Sequence, residues 1–189
     1  MNNMMIKIAG GLETAFAARG FTEPSVEELR DAAGVSLRTL YKYAPSRDDM
    51  VRLALEYRHQ RYLSHVFGDP LDAGMQGVND TLDRVADWMR TEASHGCLFH
   101  AAVVSAPNDS CLRGLLERHK AEVSQLAATK AGTDVSTSDL LVIIEGLTQA
   151  WPLSKEDALT SAKRLAHLAE AASAEPEPRQ DRHQTNRSI

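Results

Sequence analysis

Apolar residues recur every three or four positions along nearly the whole chain, and no alternating run marks a credible strand. Met5, Ile8, Leu12 and Phe16 form one such series; Met75, Val78, Leu82, Val85 and Met89 form another. That period puts successive apolar side chains on one face of a helix and cannot serve a pleated strand. The spacing therefore predicts an all-α fold. Punctuation divides it into about nine helices. The first runs from about residue 3 to 18 and stops at Gly20. Ser25 to Glu28 reads as a capping box opening a second helix through Leu29 to Ala33, which Gly34 ends. Ser36 caps a short third helix closed by Ala44-Pro45, and Ser46 to Asp49 caps a fourth that extends to about His65. The fifth follows the Met75 to Met89 series, and the sixth occupies Gly96 to Ala106. Leu112 to Leu126 outline a seventh that stops at Gly132, Ser136 to Asp139 cap an eighth, and Ser154 to Asp157 cap a ninth.

The chain of 189 residues has room for a small domain joined to a larger one. Gly68, Asp69 and Pro70 mark the boundary, giving a small domain with its connecting helix at 1–67 and a larger helical one at 68–172. The end, 173–189, has almost nothing to bury and is expected to be disordered. No basic patch precedes an apolar segment at the N-terminus, no apolar run is of bilayer-spanning length, and two cysteines are too few for a disulfide framework. A cytoplasmic protein without a membrane partner is expected.

The net charge of -5 argues against a nucleic-acid partner only until its distribution is considered. Residues 1–67 carry nine Lys/Arg against eight Asp/Glu, so the acidity belongs to the remainder. Between Ser36 and Arg61 there are six cations to three acids, a stripe able to meet phosphates.

That stripe includes "GVSLRTLYKYAPSRDDM", Gly34 to Met50. Two helices joined by a short glycine turn form a helix-turn-helix, here Val26 to Ala33, the turn Gly34-Val35-Ser36, and Leu37 to Tyr43. Leu29, Val35 and Leu40 anchor the pair; Leu37, Arg38, Thr39, Tyr41, Lys42 and Tyr43 are left mostly outward. In DNA readers of this kind the second helix enters the major groove by its N-terminal end. Arg38 is the candidate for base readout, since a guanidinium pairs with both acceptors of guanine, and Leu37 could meet a thymine methyl. Thr39, Tyr41, Lys42 and Tyr43 suit phosphates, which fix position. Arg47 and Ser25 stand at helix N-termini, where free N–H groups favour an anion.

The stretch "SVEELRDAAGVSLRTLYKYAPSRDDM" resembles the N-terminal domain of the TetR (tetracycline-repressor type) transcriptional regulators. The match lies in Ala-Gly-Val-Ser at 33–36, Thr-Leu-Tyr at 39–41, Tyr43, and Pro-Ser-Arg at 45–47 before an acidic pair. It is strong over about residues 5–60 and weak beyond. The resemblance implies an all-helical homodimer that binds a palindromic double-stranded DNA operator and is released by a small-molecule effector. Carried over by position, DNA contacts fall on Ser25, Leu37, Arg38, Thr39, Tyr41, Lys42, Tyr43 and Arg47. Three departures stand out: Ala44 replaces a large aromatic, Pro24 replaces a small polar residue, and no arginine precedes Met5 to form a minor-groove arm.

In the larger domain the last two helices are the expected dimer seam, through Leu140, Ile143, Ile144, Leu147, Leu159, Ala162 and Ala166; the same residues would equally serve as core. Trp88, Phe99, His100, Leu116 and His119 are the candidate effector-binding residues, again with a core role as the alternative. His95, Cys97 and His100 have ligand chemistry but no distant second pair, so no metal site is expected. No basic neighbour of Cys97 or Cys111 is evident in the sequence to lower a thiol pKa. No phosphate loop, nucleophile elbow or paired-His motif is present, so neither catalysis nor a cofactor is expected. The competing class is a helical adaptor that binds protein alone.

Overall fold

The computed structural model describes residues 1–68 and 77–174. Among them the order is α1 (Asn3–Arg19), α2 (Val26–Ala33), α3 (Leu37–Tyr43), α4 (Arg47–Phe67), α5 (Gly77–Thr91), α6 (Leu98–Ser105), α7 (Ser110–Ala131), α8 (Thr137–Ser154) and α9 (Glu156–Ala174), with no strand. The all-α expectation holds, and most boundaries fall where local chemistry puts them. Ser25 accepts from the Glu28 amide while the Glu28 carboxylate accepts from the Ser25 amide, a complete capping box. Ser46 and Asp49 repeat it at α4, and Ser36 and Ser136 cap α3 and α8.

One expected cap is corrected. Ser154 does not open α9: it ends α8, where its hydroxyl donates to the Ala150 carbonyl, and Lys155 turns the chain at φ 42° before Glu156 starts α9. Met75, the 69–70 part of the expected boundary and the 175–189 part of the expected tail lie outside the described residues.

Two apolar cores form. The first gathers Ile8, Leu12, Phe16, Leu29, Leu40, Met50 and Leu55 from α1 to α4, and also takes Leu98, Phe99, Ala102 and Leu112 from α6 and the start of α7. The second gathers Leu82, Val85, Trp88 and Met89 with Val123, Leu140, Ile144, Leu147, Trp151 and Ala162 from α5 to α9. α4 serves both, contributing Met50, Ala54 and Leu55 to the first and Tyr62, Val66 and Phe67 to the second. Ala44, the departure from the family pattern, is fully buried in the first core, where Phe21 stacks on Phe16 at 5.0 Å.

α1 crosses α2 without slack at Gly11. A Cβ there would lie 2.3 Å from the Ala32 carbonyl oxygen and 2.5 Å from the Ala33 Cα. Helix propensity alone favours alanine over glycine by about 0.8–1 kcal/mol, but forcing backbones apart typically costs ~1–3 kcal/mol or more. Gly11→Ala is therefore expected to destabilise the protein, read as a lower urea midpoint; an unchanged or raised midpoint would show that the crossing has play.

Candidate nucleic-acid interface

The turn between α2 and α3 requires Gly34, which adopts φ 61° and ψ 41°, a left-handed conformation that side chains with a Cβ rarely adopt. Lys7 of α1 donates to the Gly34 carbonyl at 2.8 Å and ties the turn down. Val35 is half-buried against the first core and Leu40 fully buried. Ser36 Oγ accepts from the Thr39 amide at 3.1 Å and lies 2.9 Å from the Thr39 hydroxyl. This short helix is thus fixed at its start, along one face and, through Ala44, at its end.

Its other face is open. Arg38, Tyr41 and Lys42 are exposed, Leu37 and Thr39 half-buried at the entry, and Tyr43 half-buried beneath Lys42, whose ammonium lies 5.8 Å from the Tyr43 ring centroid. Ser25 is exposed, its oxygen engaged as the α2 cap. Arg38, Tyr41 and Lys42 of the expected outward set are therefore exposed, while Leu37, Thr39 and Tyr43 reach only partly to the surface.

Arg47 is a correction. It stands in the first turn of α4, but its guanidinium donates to the Phe21 carbonyl at 2.7 Å and the Pro24 carbonyl at 2.8 Å, and lies over the Phe16 ring. Those carbonyls come from the α1–α2 connection, more than twenty residues away in sequence. Arg47 holds the approach to α2 in place and is not free to bind phosphate.

The fate of the other N-terminal cations singles out α3. Arg19 pairs with Glu28, Arg30 with Asp31, Arg52 with Asp49, and Arg58 and Arg61 with Glu13. Lys7 and Arg47 serve carbonyls. Among the described residues, Arg38 and Lys42 alone of the nine N-terminal cations face solvent with neither carboxylate nor carbonyl.

The structure brings together three of the five candidate effector residues. Trp88, Phe99 and His119 line an internal cavity of about 20 Å³ with Arg58, Tyr62, Cys97 and Lys120. Phe99 stacks on the His119 ring at 4.1 Å, and His119 Nδ1 lies 2.9 Å from His59 Nδ1, one ring donating and the other accepting. Burial pushes His119 well below the ordinary imidazole range, with Lys120 and His59 adding to the effect. His100 does not line the cavity but lies half-buried beside it, its Nδ1 2.8 Å from the Gln149 amide nitrogen and 3.7 Å from Glu145 Oε2, and Leu116 packs at the edge of the first core. Among the described residues no group of His, Cys, Asp or Glu is arranged to hold a metal ion, and no helix is long and apolar enough to cross a membrane.

The seven expected seam residues are also corrected: Leu140, Ile143, Ile144, Leu147, Leu159, Ala162 and Ala166 are all buried in the chain's own core. The outward stripe on α8 is Val142, Gly146, Gln149 and Leu153, and that on α9 is Ser161, Leu165, Leu168 and Ala172. Val142 is 70% exposed, Leu153 89%, Leu165 53% and Leu168 59%.

Residues 12–54 match the family model described as bacterial regulatory proteins, tetR family. No curated protein matches the chain. Among solved structures, a TetR-family transcriptional regulator from Streptomyces coelicolor superposes with a TM-score of 0.70 at 16% identity, over 89% of this chain and 95% of that one. GusR from Salmonella enterica gives 0.65 at 19% identity, over 89% and 94%. Another TetR-family member, from Streptomyces coelicolor A3, gives 0.67 at 18%, over 87% and 99%. Residues 12–54 are thus a tetR-family regulatory domain, on a chain that folds as the TetR-family regulators do.

Proposed function

We propose that the chain is a sequence-specific DNA-binding transcriptional regulator, a homodimer acting in the cytoplasm on a palindromic operator and released by a small-molecule effector, with repression as its direct effect. It works by binding and performs no catalysis. The observation that carries this reading is the pair of uncommitted cations, Arg38 and Lys42, on a short helix fixed at both ends. A protein-binding adaptor has no use for that arrangement, whereas a major groove between phosphate rails requires it.

In this reading Arg38 reads a base edge, Leu37 meets a thymine methyl, and Thr39, Tyr41, Lys42, Tyr43 and Ser25 set the register on phosphates. Two subunits associate through the outward stripes of α8 and α9, where Gly146, Ser161 and Ala172 let the helices approach and Val142, Leu153, Leu165 and Leu168 supply apolar contact. Such an arrangement is a four-helix bundle about a two-fold axis. The effector acts around Trp88, Phe99 and His119. A cavity of about 20 Å³ has room for about one water. A larger molecule must therefore displace side chains of α5, α6 and α7, and α6 lies against the DNA-reading core.

The test is duplex selection from random sequence, followed by binding of variants to the selected site. Arg38→Ala is expected to lose about 1–3 kcal/mol of preference at one base pair of each half-site while the fold survives. Lys42→Ala should weaken binding alike on all sequences and lower the salt slope by about one per subunit. Failure to select any duplex, or an Arg38→Ala variant with unaltered preference, would favour the adaptor.

A further inference from the structure

The cavity of about 20 Å³ between Trp88 and His119 is small, but three buried polar side chains line it. His119 is 4% exposed, Thr148 6% and Tyr62 7%. His119 Nε2 and the two hydroxyls have no hydrogen-bond partner among the described residues, and among those residues no fully enclosed side-chain nitrogen or oxygen lacks one. The three atoms therefore open onto the cavity. Buried polar groups are costly without partners, so such a trio suits a hydrogen-bonding guest.

The neighbours of His119 fix what it presents. Glu122 Oε2 lies 3.0 Å from His59 Nε2, and a carboxylate only accepts, so the proton of a neutral His59 ring sits on Nε2. His59 Nδ1 then accepts from His119 Nδ1 at 2.9 Å, which leaves His119 Nε2 bare, an acceptor. The Tyr62 and Thr148 hydroxyls each donate or accept. A hydroxyl on the guest meets this set, donating to His119 Nε2 and accepting from Tyr62 or Thr148.

Charge on the guest is disfavoured by what the ionic neighbours already hold. Lys120 donates to Glu145 Oε1 at 2.5 Å and lies 3.5 Å from the Cys97 sulfur, a basic neighbour that the sequence did not reveal. Arg58 is taken by Glu13 and the Glu92 carbonyl. An ionic guest would be buried without a free counter-charge, a cost that an uncharged one escapes. The walls are rich in rings: Tyr62 meets Trp88 edge-on at 5.4 Å, and Phe99 stacks on His119 at 4.1 Å. Such walls favour a flat aromatic body.

Room for that body lies next to the cavity. Arg58, Ala93, Cys97 and Leu98 line both the cavity and a groove of about 330 Å³ that runs on to Phe16, Ala17 and Ala18 of α1. That is the size of an ordinary small-molecule site. The dividing wall is carried by the connection from α5 to α6, where Gly96 turns the chain at φ 105°. We propose that the cavity and the groove together bind an uncharged alkylphenol, its hydroxyl held by His119, Tyr62 and Thr148 and its alkyl substituent lying in the groove against α1. Binding shifts the wall at Leu98. That such a phenol acts as the effector rests on the regulatory reading above; that it binds does not.

The test is calorimetric titration of the full chain at neutral pH with para-propylphenol, its methyl ether and para-propylbenzoate. The phenol is expected to bind saturably, and the ether and the benzoate about tenfold more weakly or worse. Tyr62→Phe and Thr148→Val each delete one hydroxyl with little change of shape. Each should weaken the phenol by about threefold to tenfold and leave the ether unchanged. Melting curves check the fold of both variants, and the ranking of the three probes on the parent needs neither. Ala18→Leu, at an exposed position on the groove, should weaken para-propylphenol but not phenol itself. No saturable binding of the phenol, an ether or benzoate that binds as tightly, or unchanged phenol affinity in both hydroxyl variants would overturn the site. Unchanged para-propylphenol affinity in Ala18→Leu would overturn the groove's part in it.

The effector role is tested on a duplex selected by the protein alone. Para-propylphenol should lower affinity for it by about tenfold, and the methyl ether at the same concentration should not. A phenol that binds the chain and leaves duplex affinity unchanged would overturn the role but not the site. Failure to select any duplex would instead strike the regulatory reading, while the titrations would still decide the site.

Discussion

Replacing Glu13 with alanine is expected to cost about 3–5 kcal/mol of stability, the usual effect of stripping a buried charge of its partner. For a chain of this size that is a fall in melting temperature of roughly ten degrees. Glu13 and Arg58 are each only 4% exposed, and Arg58 Nη1 donates to Glu13 Oε1. The network continues outward. Arg61 bridges Glu13 Oε2 at 2.7 Å and Glu92 Oε2 at 2.6 Å, and Arg58 also donates to the Glu92 carbonyl at 3.0 Å and lies over the Trp88 ring. Glu13→Ala leaves the Arg58 guanidinium buried against Trp88 without its anion. The paired change Glu13→Leu with Arg58→Met removes both charges and should recover most of the loss, because a buried ion pair is itself nearly neutral relative to apolar packing. Calorimetry on the three proteins decides. A Glu13→Ala protein that melts with the parent would mean that water already reaches Arg58.

Association should respond to the opposite set of residues. Leu165→Glu with Leu168→Glu puts carboxylates on the exposed α9 stripe and is expected to yield a folded monomer by light scattering. Its affinity for a two-half-site duplex should fall by about 10²–10⁴, since linked sites lose their mutual reinforcement. Ile144→Ala, one of the buried α8 residues, should instead cost about 2–5 kcal/mol through the cavity it leaves, with association intact below the transition. If the two behave the other way round, the stripes on α8 and α9 are not the seam.

The expected seam shows where sequence reasoning reaches its limit. Near the N-terminus the signals are local. Ser25 caps through Glu28, three residues on, and Gly34 sits between two helices whose ends are marked by their own residues, so α2, α3 and the outward face could be read from the chain. Periodicity identifies α8 as apolar over most of its circumference, but not which side its own subunit claims. The larger residues Leu140, Ile143, Ile144 and Leu147 went inward, and the stripe left outside carries Gly146 and Gln149 between Val142 and Leu153. Arg47 failed for a related reason: its carbonyl partners belong to another connection, and no spacing rule reports them. Lys120 lies 23 residues from Cys97 and meets it only because α7 runs alongside α6.

The packing of α6 against the first core, built mainly by α1 to α4, limits how this protein can be re-engineered. A chimera cut near residue 68 would strip Leu98, Phe99, Ala102 and Leu112 from the grafted head and leave greasy holes for a foreign sensor to fill. Under the proposed reading, a change of DNA preference is better made by exchanging only the outward face of α3, which leaves the shared core intact.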